Sequence, residues 1–297
     1  MSAASSREGL VELRDGRRLA YADHGVSSGR PCLFFHGIPG SRRQPELIAD
    51  EARAAGLRVI GVDRPGFGGS TYQPGRRFLD WPADVAALAA ALELDRFAVV
   101  GISGGSAYAL ACAVTLPASL SAVVLLSGMG PLDDPAVGPM LPRFSRSMRL
   151  GVRLARIAPR VALRLLARQV ARDSALTDPL ARWAAMMSPA DRALLARPGV
   201  ATALRADIAE SVCQGPVGMA WDLALYARPW GFRIGDVAVP VLLWHGDDDW
   251  NVPAEFGRGL ARALPNCRAH FWPGEGHLAA ISHAGEISQA LSATISA

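Results

Sequence analysis

Residues 97–116 read FAVVGISGGSAYALACAVTL, and the segment GISGG inside them sets a serine where nucleophilic chemistry could be done. Phe97 to Ile102 is a short apolar run with Val99-Val100 at its centre, which suits a strand buried on both faces. Ala107 to Leu116 is rich in Ala and Leu and suits a buried helix. Between them Gly101, Ser103 and Gly105 spell G-x-S-x-G. A serine on so sharp a strand-to-helix turn takes an unfavourable backbone conformation, so its neighbours must be nearly free of side chains. In return its hydroxyl stands at a helix N-terminus, where free N–H groups and the helix dipole favour a developing negative charge. A glycine-rich turn can be only a turn; the strand before it and the helix after it carry the catalytic reading.

A hydroxyl is a weak nucleophile and needs an imidazole to take its proton, oriented in turn by a carboxylate. Downstream, a strand over Val239–Trp244 leads into His245-Gly-Asp-Asp-Asp-Trp-Asn-Val-Pro253, and a second over Arg268–Trp272 leads into Pro273-Gly-Glu-Gly-His-Leu278. Six histidines compete for the role of base. His270 lies within a predicted strand, His24 follows an N-terminal hairpin and His283 lies in the last helical segment. His277 sits on a Gly-rich loop after the last strand, from which a ring can swing toward Ser103, and it is the candidate base. Upstream, a strand over Pro31–His36 runs into Gly37-Ile-Pro-Gly40, and one over Leu57–Val62 runs into Asp63-Arg-Pro-Gly-Phe-Gly-Gly-Ser70.

These five blocks, in their order and spacing, resemble the α/β-hydrolase family over roughly residues 10–130 and 236–297. The chain order of Ser, acid and His is that family's. The resemblance implies a mostly parallel central sheet with helices on both faces, and serine hydrolase machinery. It places structural histidines at His36 and His245. It puts the acid three residues after the glycine that ends the strand, shortly before a Val-Pro pair: counting from Gly246 gives Asp249, with Asp248 as runner-up. In some relatives the acid follows the preceding strand, which here would be Asp133 or Asp134. The oxyanion of a tetrahedral intermediate needs two donors. The residue after the nucleophile supplies one, the N–H of Gly104, and the resemblance supplies the other, the N–H of Ile38. Asp63–Ser70 reads as a buttressing turn. Ser106, inside the helix, reads as an ordinary helix residue.

The serine argues against dehalogenases and epoxide hydrolases of the family, which carry an aspartate at that turn. The expected cycle is attack by Ser103, an acyl-enzyme, then water activated by His277. Esters come first because an alkoxide leaves more easily than an amine; thioesters, lactones, amides and C–C bonds of activated ketones remain open. So do cofactor-free perhydrolysis with the same residues and a ligand-binding, non-catalytic member of the fold. The partner is a small-molecule substrate with an apolar acyl or ester group. Trp250, beside the proposed acid, is the pocket candidate; Trp183, Met186, Met187, Trp221, Tyr226 and Trp230 sit at helical spacing that suits core as well as pocket. The mechanism requires no cofactor or metal. The glycine-rich loops lack G-x-G-x-x-G after the first strand and G-x-x-x-x-G-K-[ST], so they do not suggest a nucleotide site.

The chain divides where its pattern changes. Residues 10–25 read as a hairpin turning at Asp15-Gly16. Apolar strands then alternate with Ala-rich helical segments such as Asp84–Leu94, up to a strand over Ser121–Ser127. From there to Val239 the periodicity is helical. The expected division is a first core part at 1–135, a helical cap at 136–235 and a second core part at 236–297. With 297 residues, half of them hydrophobic, the chain can bury a large core. It has no run of 18 apolar residues and no apolar segment near its start, so the expectation is a cytoplasmic protein without stable membrane insertion. Cys32 and Cys112 fall in apolar elements and read as core residues; no C-x-x-C spacing links any of the four cysteines.

All 31 cationic residues are arginine, which removes Schiff-base and Ser–Lys chemistry. Nine of them, at 143, 146, 149, 153, 156, 160, 164, 168 and 172, lie in 30 residues without an acid; removing these nine charges from the net +4 leaves the rest at −5. That asymmetry is not a general nucleic-acid footprint, and no nucleic-acid partner is expected. Arg160, Arg164, Arg168 and Arg172 recur every four residues, along one face of a helix beginning near Pro159. The stretch reads either as a solvated face or as a surface that attracts anionic substrates or an acidic membrane.

Overall fold

The structure, a computed structural model, describes residues 6–132, 134, 137, 146–176 and 178–296. Eight strands form one sheet: β1 (Arg7–Glu12), β2 (Arg18–Asp23), β3 (Arg30–Phe35), β4 (Leu57–Val62), β5 (Phe97–Ile102), β6 (Leu120–Leu126), β7 (Val241–Gly246) and β8 (Cys267–Trp272). Their spatial order is β1-β2-β4-β3-β5-β6-β7-β8. β1 and β2 form the expected N-terminal hairpin, and β2 runs antiparallel to β4; β3 to β8 are parallel.

Side chains of the parallel strands alternate between two cores, as a period of two requires. Leu33, Phe35, Ile60, Val62, Phe97, Val99, Val123, Leu125, Val241 and Leu243 point to one. Cys32, Phe34, Val59, Ala98, Val100, Val124, Leu126, Leu242 and Trp244 point to the other. The first core is closed by α2 (Trp81–Ala91), α3 (Ser106–Thr115) and α10 (Ala254–Ala263). The second is closed by α1 (Ala49–Ala54), α11 (Ala279–Ser282) and α12 (Ala284–Ser296). With both faces covered, the strands can be apolar throughout.

Where element limits differ from the sequence expectation, two of the shifts have a plain local cause. The helix expected at Asp84–Leu94 is α2, three residues earlier at each end: Pro82 fits a helix's first turn, and Glu93 ends the run at φ +56°. The strand expected from Val239 starts at Val241, after Pro240, which has no N–H to give to a ladder.

Among the described residues, six α-helices lie between β6 and β7: α4 (Arg146–Ile157), α5 (Pro159–Ser174), α6 (Pro179–Ala184), α7 (Pro189–Leu195), α8 (Val200–Ser211) and α9 (Val217–Tyr226). They fall inside the 136–235 segment; the boundary expected near 135, with Asp133 and Arg143, lies outside the described residues. The helices build a small core of their own around Leu180, Met187, Leu194, Leu204 and Ile208, which also takes in Leu278 from the loop after β8. They therefore pack onto the carboxyl ends of the parallel strands, where α/β sheets place their sites.

Candidate active site

Ser103 follows β5 directly and has φ +49°, a left-handed conformation that costs a side-chain-bearing residue about 1–2 kcal/mol. Its turn holds because the chain passes very close to β3. A Cβ on Gly105 would lie 2.0 Å from the carbonyl oxygen of Phe35, so no larger residue fits there. α3 starts at Ser106, whose own hydroxyl is turned away and donates to the Gly101 carbonyl (3.2 Å). Gly37 lies beside the nucleophile candidate: a Cβ on it would sit 3.5 Å from Ser103 Cβ. Ile38 packs its side chain against Gly104, so the two residues expected to supply oxyanion donors are neighbours.

Asp249 and His277, 28 residues apart, meet in a buried hydrogen bond: His277 Nδ1 lies 2.7 Å from Asp249 Oδ2. The other carboxylate oxygen accepts the backbone N–H groups of Asn251 and Val252, both at 2.8 Å. His245 Nε2 stands 3.3 Å from Oδ2 and 2.8 Å from the Val252 carbonyl, so this ring braces the acid. Burial works against the charged form of Asp249, but His277 and the hydrogen bonds from both histidines outweigh it and hold the carboxyl well below the usual range. For His277, burial again disfavours the charged ring. The charge and hydrogen bond of Asp249, with the charge of Asp191, outweigh burial and raise its pKa above the ordinary value.

The rest of the aspartate triplet is built differently. Asp247 is exposed and paired with Arg258 (2.6 Å), and Asp248 accepts the indole N–H of Trp250 (2.8 Å). Trp250 is 54% exposed, with the Arg192 guanidinium 5.8 Å above its ring. Asp134 is partly buried, and Asp133 lies outside the described residues.

Sequence reasoning passed over a charged group beneath the Gly37-Ile38 loop. Arg64, fully buried, donates to the carbonyls of His36 and Gly37 (3.1 Å for Gly37), and its Nε meets Asp222 of α9 at 2.8 Å. Asp222 also accepts the Tyr108 hydroxyl (2.5 Å) and pairs with buried Arg76. Tyr226, one turn along α9, donates to the Gly104 carbonyl. His36 accepts the Arg64 N–H at Nε2, so its Nδ1 carries the proton and donates to the Gly37 carbonyl (2.9 Å). Burial, with Arg64 beside it, lowers the His36 pKa well below the ordinary value and keeps the ring neutral. The turn Asp63–Ser70 is a buttress: Asp63 accepts from Arg42 and Gly69, and Ser70 donates to the Asp63 carbonyl. The signals for the overlooked residues were single charges in apolar company, such as Asp222 inside VGMAWDLALY.

A parallel sheet of this order, with a strained serine after β5 and a buried carboxylate–imidazole pair after β7 and β8, defines a hydrolase-type α/β architecture. A family model described as alpha/beta hydrolase fold matches residues 30–284, and the chain belongs to the α/β-hydrolase family. A Mycobacterium tuberculosis protein provisionally named a non-heme bromoperoxidase is 30% identical over 269 residues, covering 88% of this chain and 90% of that one. A non-heme chloroperoxidase of Streptomyces lividans is 35% identical over 126 residues, and the match spans 42% of this chain and under half, 46%, of that protein. Among solved structures, an esterase, RhEst1, from Rhodococcus sp. ECU1013 superimposes with TM-score 0.69 at 24% identity, covering 99% of each chain, a likeness of fold. Among the described residues, no helix is long and apolar enough to cross a membrane.

Proposed function

We propose that the protein is a serine hydrolase that cleaves small-molecule carboxylic esters through an acyl-enzyme, with α4–α9 as a cap over the site. Ser103 attacks the ester carbonyl while His277 Nε2 takes its proton, and Asp249 keeps the opposite nitrogen of the ring protonated and the imidazolium stabilised. The N–H groups of Ile38 and Gly104 receive the oxyanion. Arg64 and His36 both donate to the Gly37 carbonyl, which belongs to the same peptide as the Ile38 N–H, and so polarise that donor. The imidazolium returns its proton to the departing alkoxide, and water activated by His277 then releases the acid.

The observation that carries this reading is the buried 2.7 Å pair of Asp249 and His277, in a chain whose G-x-S-x-G serine sits in a left-handed turn. The test is a panel of p-nitrophenyl esters of increasing acyl length. Turnover should fall away at one end of the series, and kcat/KM should rise with pH through a single ionisation, because His277 must be neutral to accept a proton. No turnover across the panel, or a flat profile between pH 5 and 8 with chemistry rate-limiting, would contradict it. The name of the Mycobacterium relative favours a second reading, in which hydrogen peroxide replaces water at the acyl-enzyme and leaves as a peracid. Peracid formation that outruns hydrolysis at millimolar peroxide would select that reading.

A further inference from the structure

We propose that Asp191, a residue of the cap helix α7, is a positioning residue for His277: through this carboxylate the cap holds the loop that carries the base. The inference rests on the reading of Ser103, His277 and Asp249 given above.

Asp191 is fully buried, and both of its oxygens are engaged. Oδ2 accepts the backbone N–H of His277 (3.0 Å) and the Ser188 hydroxyl (3.0 Å), and Oδ1 accepts the N–H of Leu278 (2.7 Å). The contact spans 86 residues and leaves no slack. A Cβ on Gly276 would fall 2.3 Å from both Asp191 Oδ2 and Ser188 Oγ. Leu278 is drawn into the apolar cluster of the cap by the same contact, so the loop is held from the cap on either side of the imidazole. Ser188 also caps α7 by accepting the Asp191 N–H (3.2 Å), which fixes the carboxylate before it meets the loop.

A solvent-facing loop could satisfy two N–H groups with water. A fully buried carboxylate is a costly substitute unless its geometry or its charge is used. Both are available here. The geometry sets the ring's approach to Ser103, where a displacement of about 1 Å can cost on the order of 100-fold in rate. The charge acts with that of Asp249 on the same imidazole: the acids facing His277 are Asp249 from the loop after β7, braced by His245, and Asp191 from α7. Together they keep His277 a stronger base than burial alone would allow.

The experiment is the pH dependence of kcat/KM for Asp191→Asn beside wild type, on one p-nitrophenyl ester, with Ser103→Ala and His277→Ala run in parallel. Asp191→Asn keeps an amide acceptor but loses the charge. Its rising limb should move to lower pH, and kcat on the plateau should fall at least tenfold with KM within twofold. Asp191→Glu restores the charge and should return the limb toward wild type while kcat stays low. If Asp191→Asn does not fold, Asp191→Ser carries the same expectation for the limb. A folded charge-removing variant whose limb stays in place, with only its melting temperature lowered, would overturn the proposal and leave Asp191 as cap packing. Activity surviving in Ser103→Ala or His277→Ala would instead sink the parent reading, so the two failures are distinguishable.

Discussion

On the side of the inserted helices that faces the sheet, Asp191, Asp207 and Asp222 are buried to within 1% exposure, and each takes hydrogen bonds from a different loop of the core. On α4 and α5, by contrast, Arg153, Arg160, Arg164, Arg168 and Arg172 are exposed to solvent and, among the described residues, pair with no acid. The inner acids work in a medium where an unpaired charge costs several kcal/mol, so their partners are fixed. The outer arginines are solvated, and repulsion between neighbours four apart costs only about 0.2–0.5 kcal/mol per pair. Many charges outside therefore count for less than a few inside.

The same contrast runs through the adjacent aspartates. Asp249→Asn should cripple turnover, since an amide cannot stabilise the imidazolium; the equivalent change in another serine hydrolase costs about 10⁴-fold in kcat. Asp248→Asn, which alters only the acceptor for Trp250, should stay within a few-fold. Steady-state kinetics of both variants decide the matter, and the reverse ranking would move the acid to Asp248.

Next in size is Asp222→Ala, which strands Arg64 and Arg76 without their shared acid. Removing one partner of a buried ion pair costs about 3–5 kcal/mol, so chemical denaturation should show a loss of that order or failure to fold. A loss below 1 kcal/mol would mean that the cluster relaxes into water.

A smaller effect separates Asp207 from its two companions. Its Oδ1 accepts the N–H and hydroxyl of Ser41 (2.7 and 2.6 Å), but Oδ2 has no partner, and burial pushes its pKa up to about 7. The folded state thus holds a proton that the unfolded state has lost above about pH 4. Asp207 should make stability fall as pH rises from about 4 to 7 and add no further change above that. Asp207→Asn should flatten that segment of the melting-temperature profile; an unchanged slope would assign it to other groups.

The smallest effect belongs to the outer face. Replacing Arg160, Arg164 and Arg168 by glutamine should leave kcat/KM for a neutral ester unchanged and alter that for an anionic ester little, even at low salt. A several-fold loss confined to the anionic ester, fading above ~0.3 M salt as screening shortens, would show that the arginines draw substrate in.

These two faces also separate what could be read from residues alone. The short apolar strand runs, the G-x-S-x-G turn and the four-residue arginine spacing are local patterns, and β5, the Ser103 turn and α5 from Pro159 follow them. The candidate Asp249 came from the family resemblance, which sets the acid three residues after Gly246, and its carboxylate lies 2.7 Å from His277 Nδ1. Asp191, Arg64 and Asp222 meet partners 86 and 158 residues away, which no window on the chain can pair. Ser188-Pro-Ala-Asp191 forms the start of α7; that its carboxylate also reaches the His277 loop follows from packing.

The proposed mechanism turns on Ser103 as the activated nucleophile. The direct measurement is reaction with a fluorophosphonate probe followed by peptide mapping, on native and denatured protein and on His277→Ala. One adduct is expected, on Ser103, lost on denaturation and slowed at least a thousandfold in His277→Ala. An adduct on any other residue, or no labelling of the folded protein, would contradict it.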